Sequence, residues 1–248
     1  MIRNETVTIL NRLHLTGMAA AFDAQRQNTQ CHDLVFDDRF ALLVDAERVA
    51  RENRRLNRLL KQAKLKISSA CVEDIGYATH GGLDRQQLAS LSNCEWIERG
   101  QNLLLTGPTG VGKTWLGCAF GNLAARKGYS VIYKRLPRLL EELEIAHADG
   151  SLPKLRTLFA KAQLLILDDW GVAPLTNRGR QDLLEIIDDR VPSASVLIMS
   201  QIPVDAWHDY LDEPTIADAI LDRIVHGSHR IQLRGESMRK MKVKKTTD

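Results

Sequence analysis

Gly107-Pro108-Thr109-Gly110-Val111-Gly112-Lys113-Thr114 follows the apolar run Asn102-Leu103-Leu104-Leu105-Thr106 and precedes a helical pattern over residues 115–126. The order G-x-x-x-x-G-K-T between a strand and a helix is that of a phosphate-cradling P-loop. Its glycines let successive backbone N–H groups turn inward around phosphate oxygens. The helix opening near Lys113 adds the positive end of its dipole. Lys113 is spaced to reach the β- and γ-phosphates. The Thr114 hydroxyl is spaced to meet Mg²⁺, a hard cation that takes oxygen ligands. ATP with Mg²⁺ is the expected ligand of this segment.

Such a loop needs a second apolar strand that ends in an acid. Leu164-Leu165-Ile166-Leu167-Asp168-Asp169 supplies one. Asp168 would hold Mg²⁺ through its water shell, and Asp169 would orient and deprotonate the attacking water. The alternative is a pair of carboxylates that solvates a strand end, with Asp169 capping a turn beside Gly171. Adjacent carboxylates repel when no cation is near, so metal and nucleotide are expected to bind together.

Working outward, strands are expected at 102–106, 130–133, 164–168, 195–200 and 230–233. Helices are expected at 115–126, after Pro137, at 152–160, 179–190 and 216–225. Alternation of apolar strands with helices predicts an α/β fold with a parallel sheet between helices. Before residue 68 the pattern is helical only, over 6–22 and 36–66. The expected organisation is a small all-α N-terminal domain at 1–68, a P-loop core at 69–238, and a basic tail at 239–248. Residues 69–100 are broken by Gly76, Gly81, Gly82 and Gly100 and read as a lead-in. The tail reads as disordered.

The 248 residues are 44% apolar and 26% charged, ordinary for a globular chain, and a net charge of +3 names no partner. Cys31, Cys71, Cys94 and Cys118 fit no disulfide or zinc spacing and read as reduced thiols of a cytoplasmic protein. No apolar run is long enough for a membrane span, and the first residues do not form a signal peptide. His226 and His229 lack a third ligand for a metal. The four tryptophans read as packing residues. Charge is concentrated between Glu47 and Lys66, where Arg48, Arg51, Arg55 and Arg58 recur on one helical face. That face is expected to bind DNA phosphates and to lose affinity as salt rises. A solvated face, or a patch for an acidic partner, is the alternative.

Three segments together carry a resemblance: the P-loop, the box Asp168-Asp169-Trp170-Gly171, and Ile220-Leu221-Asp222-Arg223-Ile224-Val225-His226-Gly227 followed by Gly235-Glu236-Ser237-Met238-Arg239-Lys240. They resemble the IstB family, ATPases encoded beside a transposase in bacterial insertion sequences. That family lies within the AAA+ superfamily, near the helicase loader DnaC and the initiator DnaA. The resemblance implies an AAA+ P-loop NTPase core. It also implies that Gln201 senses the γ-phosphate, where relatives often have Asn. Arg223 would be an arginine finger reaching a neighbour's γ-phosphate, and Arg239 a second sensor. Lys134, Arg135 and Arg138 would face a central channel and contact the DNA backbone. Where many such ATPases carry Glu, this chain has the shorter Asp169.

The function so implied is ATP-dependent homo-oligomer assembly on duplex DNA, remodelling of that DNA, and recruitment or stimulation of the transposase of the same element. An aromatic content of 5% favours duplex over a single-strand stacking platform. Three rivals remain at this point. A DnaC-type loader would use its N-terminal helices on a helicase. A small-molecule kinase would need a lid, and no separate lid segment stands out. A non-hydrolysing, ATP-gated DNA scaffold would leave Asp169 idle.

Overall fold

The computed structural model describes residues 2–28, 31, 33–75 and 83–235. Gly76, Gly81, Gly82 and the tail from Glu236, with Ser237, Met238 and Arg239, lie outside the described residues. The chain divides into two units, Met1–Arg58 and Leu59–Asp248.

In the first unit α1 (Ile2–Arg12) and α2 (Thr16–Gln27) precede α3 (Phe36–Ala63). The single helix expected over 6–22 is therefore two. His14 adopts a left-handed φ of 58°. Leu15 N–H then bonds the Leu10 carbonyl at 2.8 Å, closing α1 with a left-handed cap. The apolar period runs straight through this break, and the cap residue is not the usual glycine, so periodicity alone does not reveal it. Gly17, one residue into the next helix, meets α3 closely: a β-carbon there would stand 2.5 Å from Ala50 Cβ.

Glu47 holds this pair of helices together. Its carboxylate accepts the Gly17 and Met18 N–H groups at 2.7 and 3.1 Å. These are orphan donors in the first turn of α2, where an anion is favoured. Arg51 and Arg54 donate to the other oxygen at 2.8 and 3.0 Å. Arg51 foremost, with the two amides and Arg54, holds the Glu47 carboxyl down at about 2, against a partial desolvation that opposes them. A depressed folded-state value stabilises above the usual 4.5 and is lost as pH falls toward about 2. Glu47→Ala is expected to lower the melting temperature at pH 7, and the difference from wild type should shrink across that acid window in thermal melts.

Several of the α3 cations expected to face DNA are paired within the chain. Arg48 is bound to Asp45 and Glu52, and Arg51 and Arg54 to Glu47. The acids of Arg48 and Arg51 lie one turn away, and Glu47 reaches Arg54 across two turns. Arg55 and Arg58 are exposed. The division between units falls within α3, earlier than the expected 68, because Leu59 and Ala63 are buried in the core of the second unit.

In the second unit, α4 (Arg85–Ser92) and the short α5 (Glu95–Glu98) lead to β1 (Leu103–Thr106) and α6 (Lys113–Arg126). β2 (Val131–Arg135), α7 (Leu136–Asp149) and α8 (Leu152–Lys161) follow, then β3 (Leu164–Trp170) and α9 (Asn177–Asp188). β4 (Ser195–Ser200), α10 (Trp207–Leu211), α11 (Pro214–Val225) and β5 (His229–Gln232) complete it. The sheet is wholly parallel, in the order β2-β3-β4-β1-β5. α10 was not foreseen.

Alternation along each strand divides the core in two. Leu103, Leu105, Leu164, Ile166, Leu197 and Met199 pack with Leu116, Ala119 and Phe120 of α6. Leu104, Leu165, Leu167, Val196 and Ile198 pack on the other face with Leu139, Leu183 and Ile220 of α7, α9 and α11. Continuous apolar strands thus reflect a sheet covered on both faces. Trp96, Trp170 and Trp207 are buried, as expected of packing residues. Among the described residues no helix is long and apolar enough to cross a membrane.

Candidate active site

The C-terminal edge of a parallel sheet is where α/β folds gather ligands, and the expected residues converge there. Gly107 leaves β1 with φ 148°, and a β-carbon on it would lie 2.4 Å from the Leu233 carbonyl oxygen, so no other residue fits. Its N–H bonds the Ser200 carbonyl of β4 at 3.2 Å. Gly112 caps α6 at φ 98°, turning the first helical N–H groups toward the loop. Lys113, 8% exposed, donates through Nζ to the Gly107 and Pro108 carbonyls at 2.6 and 2.7 Å. Burial lowers its amine below the ordinary value, while Asp168 and Asp169 pull in the opposite sense. Across the loop, Thr109 donates to Gln201 Oε1 at 2.7 Å, so Gln201 stands beside the P-loop.

Asp168 is 2% exposed and accepts from three donors. Thr114 Oγ1 and the Tyr133 hydroxyl donate to its Oδ2 at 2.9 and 2.7 Å, and the Asp169 N–H to its Oδ1 at 2.9 Å. The Thr114–Asp168 pair offers oxygen donors of the kind Mg²⁺ takes, so the residues present fit the expected ion. Tyr133 was missed in the sequence, where it reads as one more apolar strand residue. Burial, then the Asp168 charge, pushes its phenol far above the ordinary range, so it remains a donor. Tyr133→Phe removes one donor to Asp168 and leaves Thr114 and the Asp169 N–H to hold it. It is expected to weaken the Mg²⁺ dependence of nucleotide binding by roughly three- to tenfold, the equivalent of one hydrogen bond to a charged group. Titration of Mg²⁺ against a bound fluorescent nucleotide measures this.

Asp169 follows in a bulge. Between Leu167 and Trp170 the register of β3 shifts against Ile198 and Ser200 of β4. Bulges of this kind re-aim side chains. Asp169 takes a left-handed φ of 61°, and its carbonyl accepts the Val172 N–H at 3.2 Å, a turn that includes Gly171. Its side chain does not cap that turn. Oδ2 instead accepts from Arg135 Nε at 2.5 Å. Arg135 had been expected to face DNA. Its neighbours are likewise paired, Lys134 with Glu142 and Arg138 with Glu141.

Arg223 lies elsewhere. Its carbonyl accepts from Asn102 Nδ2 at 2.9 Å, and Asn102 precedes β1. Its guanidinium bonds Asp188 Oδ1 at 2.7 Å and the Ala219 carbonyl at 2.7 Å. The pairing is with Asp188 on α9, rather than with Asp218 or Asp222 on its own helix. Arg223 therefore stands at the N-terminal edge of the sheet, beside a cavity of about 190 Å³ that Arg99, Arg190 and His226 also line. An extended run from Asn102 to Gly107 covers about 16 Å, so Arg223 does not approach the P-loop of its own chain.

The model of the IstB-like ATP binding proteins matches residues 8–246. The chain belongs to this family. An insertion-sequence ATP-binding protein of Sinorhizobium fredii, y4pL, is 44% identical over 99% of this chain and 100% of its own length. The ATP-binding protein of insertion sequence IS1162 from Pseudomonas fluorescens is 50% identical over 82% of this chain and 88% of its own. Among solved structures, DnaI superposes with a TM-score of 0.58 at 19% identity, covering 72% of this chain and 94% of that one. The DnaC helicase loader superposes at 0.52 and 19%, covering 66% and 97%. DnaA bound to AMPPCP and single-stranded DNA superposes at 0.53 and 19%, covering 72% and 55%. The IstB-like chain thus has the AAA+ P-loop fold and binds ATP, as its loop implied.

Proposed function

We propose that this IstB-like protein is an ATPase that assembles with ATP on duplex DNA and recruits or stimulates the transposase of its insertion sequence. The observation that carries it is the placement of Arg223 at the sheet edge opposite the P-loop. An arginine there serves phosphate chemistry only on another subunit. Relatives named for insertion sequences support the biological setting. Four free thiols suit the cytoplasm.

In this reading the loop amides and Lys113 bind the phosphates, and Gln201, bonded to Thr109, contacts the γ-phosphate. Thr114 and Asp168 would hold Mg²⁺, with Tyr133 fixing the carboxylate. When bound, Mg²⁺ neutralises charge on the β- and γ-phosphate oxygens. Asp169 accepts a proton from water as the new oxygen–phosphorus bond forms and the bond to the ADP oxygen breaks. Arg223 of a neighbour stabilises the charge on the transferring group. Lys134, Arg135, Arg138 and the exposed Arg55 and Arg58 contact DNA backbone, giving little sequence preference.

The test is light scattering and gel shift on duplex with ATP, with ADP and without nucleotide. Assembly that requires both ATP and duplex is expected. Assembly with neither would sink the reading. A helicase loader shares this core, so capture of the host helicase in place of the transposase would favour that rival.

A further inference from the structure

Thr109 and Gln201 belong to two segments that the backbone already ties together. Ser200, fully buried at the end of β4, accepts the Gly107 N–H on its carbonyl at 3.2 Å. Its hydroxyl donates to the Trp170 carbonyl at 3.0 Å and accepts the Ile202 N–H at 3.2 Å. The backbone on either side of Gln201 is thereby fixed against the P-loop and β3. The side chain gains little from this. Gln201 is exposed, and the rotatable bonds of a glutamine carry an entropy that opposes any single pose. The contact that restrains it is the Thr109 hydroxyl, which donates to Oε1 at 2.7 Å.

The sense of this bond decides what Gln201 can do. A glutamine amide has an acceptor end and a donor end of nearly the same shape. Phosphate oxygens accept, so a glutamine that meets them must offer its NH₂ group. The opposite pose would set oxygen against oxygen. With Oε1 engaged by Thr109, the NH₂ group is the end left over, and among the described residues it has no acceptor. A donor already held in its pose costs no reorganisation as charge develops on the transferring group. Thr109 has this effect without its hydroxyl touching phosphate.

We propose that Thr109 is a positioning residue whose hydroxyl holds the carbonyl end of Gln201, so that the amide donors are presented to the terminal phosphate of ATP. This rests on the reading of Gln201 as the side chain that contacts the γ-phosphate. ADP lacks that phosphate, so the pair serves discrimination between the two nucleotides as well as turnover. Because Thr109 acts through Gln201, its effect must vanish once Gln201 is removed.

Two measurements test it, in a cycle of Thr109→Val, Gln201→Ala and the double variant. The first is ATP turnover on duplex. Thr109→Val is expected to lower kcat by roughly three- to tenfold, with KM for ATP within about twofold. The second is calorimetric titration with ADP and with a non-hydrolysable ATP analogue, a readout independent of turnover. The preference of Thr109→Val for the analogue over ADP is expected to fall by roughly two- to fivefold. Thr109→Ser, which keeps the hydroxyl, is expected to restore both. In the Gln201→Ala background Thr109→Val is expected to change neither. Thr109→Ala removes the same hydroxyl and decides the matter if the valine variant does not fold. Wild-type kcat and preference in the Thr109 variants, with Gln201→Ala impaired, overturn this proposal alone. So do losses that multiply in the double variant, which mark Thr109 as a part of the loop that acts without Gln201. Wild-type turnover and preference in Gln201→Ala overturn this proposal together with the reading of Gln201 beneath it.

Discussion

Arg223→Ala is expected to reduce ATP turnover by about 10³-fold, the effect of removing an arginine that stabilises the transferring phosphoryl group. ATP affinity of the isolated subunit should stay within about twofold, because Arg223 does not approach its own P-loop. The fold should survive. Arg223 is bound to an exposed Asp188, at 2.7 Å, and surface pairs of that kind contribute little to stability. Mixing makes the test sharper. Arg223→Ala subunits keep an intact P-loop, and Lys113→Ala subunits keep an intact finger. Turnover that reappears on mixing two inactive preparations requires a site shared between chains. Full activity of Arg223→Ala alone at high protein concentration would remove the finger assignment.

Lys113→Ala is expected to weaken ATP binding by on the order of 10²-fold or more, since charge-assisted bonds to two phosphates are lost together. The buried amine now caps the Gly107 and Pro108 carbonyls. It must leave them when phosphates enter, so the loop carbonyls already tolerate its departure. The variant should therefore fold while failing to assemble on DNA at ATP concentrations that saturate wild type. Calorimetric titration with ATP measures the first effect and light scattering the second. Near-normal affinity would mean that the loop amides alone hold the nucleotide.

How far the sequence spoke depended on how local each signal was. The P-loop is contiguous, and its meaning lies in eight adjacent residues, so Lys113 and Thr114 were legible at once. Asp168 and Asp169 were found because an apolar strand ending in acid is also a local pattern. Strand positions came from period and fell within a few residues of those observed, whereas the division of α1 from α2 and the short α10 were not read. What was not legible depends on partners distant in sequence. Tyr133 looks like a core residue until its hydroxyl meets Asp168, 35 residues away. Arg190 read only as the end of a helix. It is 1% exposed, and donates to the Ser195 and Phe159 carbonyls without a carboxylate. Burial lowers its guanidinium to about 10. The break at His14 was hidden because the apolar period continues through it. The pairing within α3 was not legible either, because a count of charges does not show that Arg48 meets Asp45 and Glu52 while Arg51 and Arg54 meet Glu47.

Arg223 and the P-loop stand at opposite edges of one sheet, and this has a consequence for the ends of any assembly joined through them. Such a contact is head-to-tail, so it has a direction and does not return on itself unless a rotation closes it. In an open chain of subunits, one terminal copy offers a nucleotide-loaded face with no finger upon it. The other offers a finger with nothing to touch. On the proposed reading the first would hold its ATP unhydrolysed while interior copies turn theirs over. An open assembly would therefore carry a lasting polarity, with an ATP-capped end that a partner protein could distinguish from the opposite one.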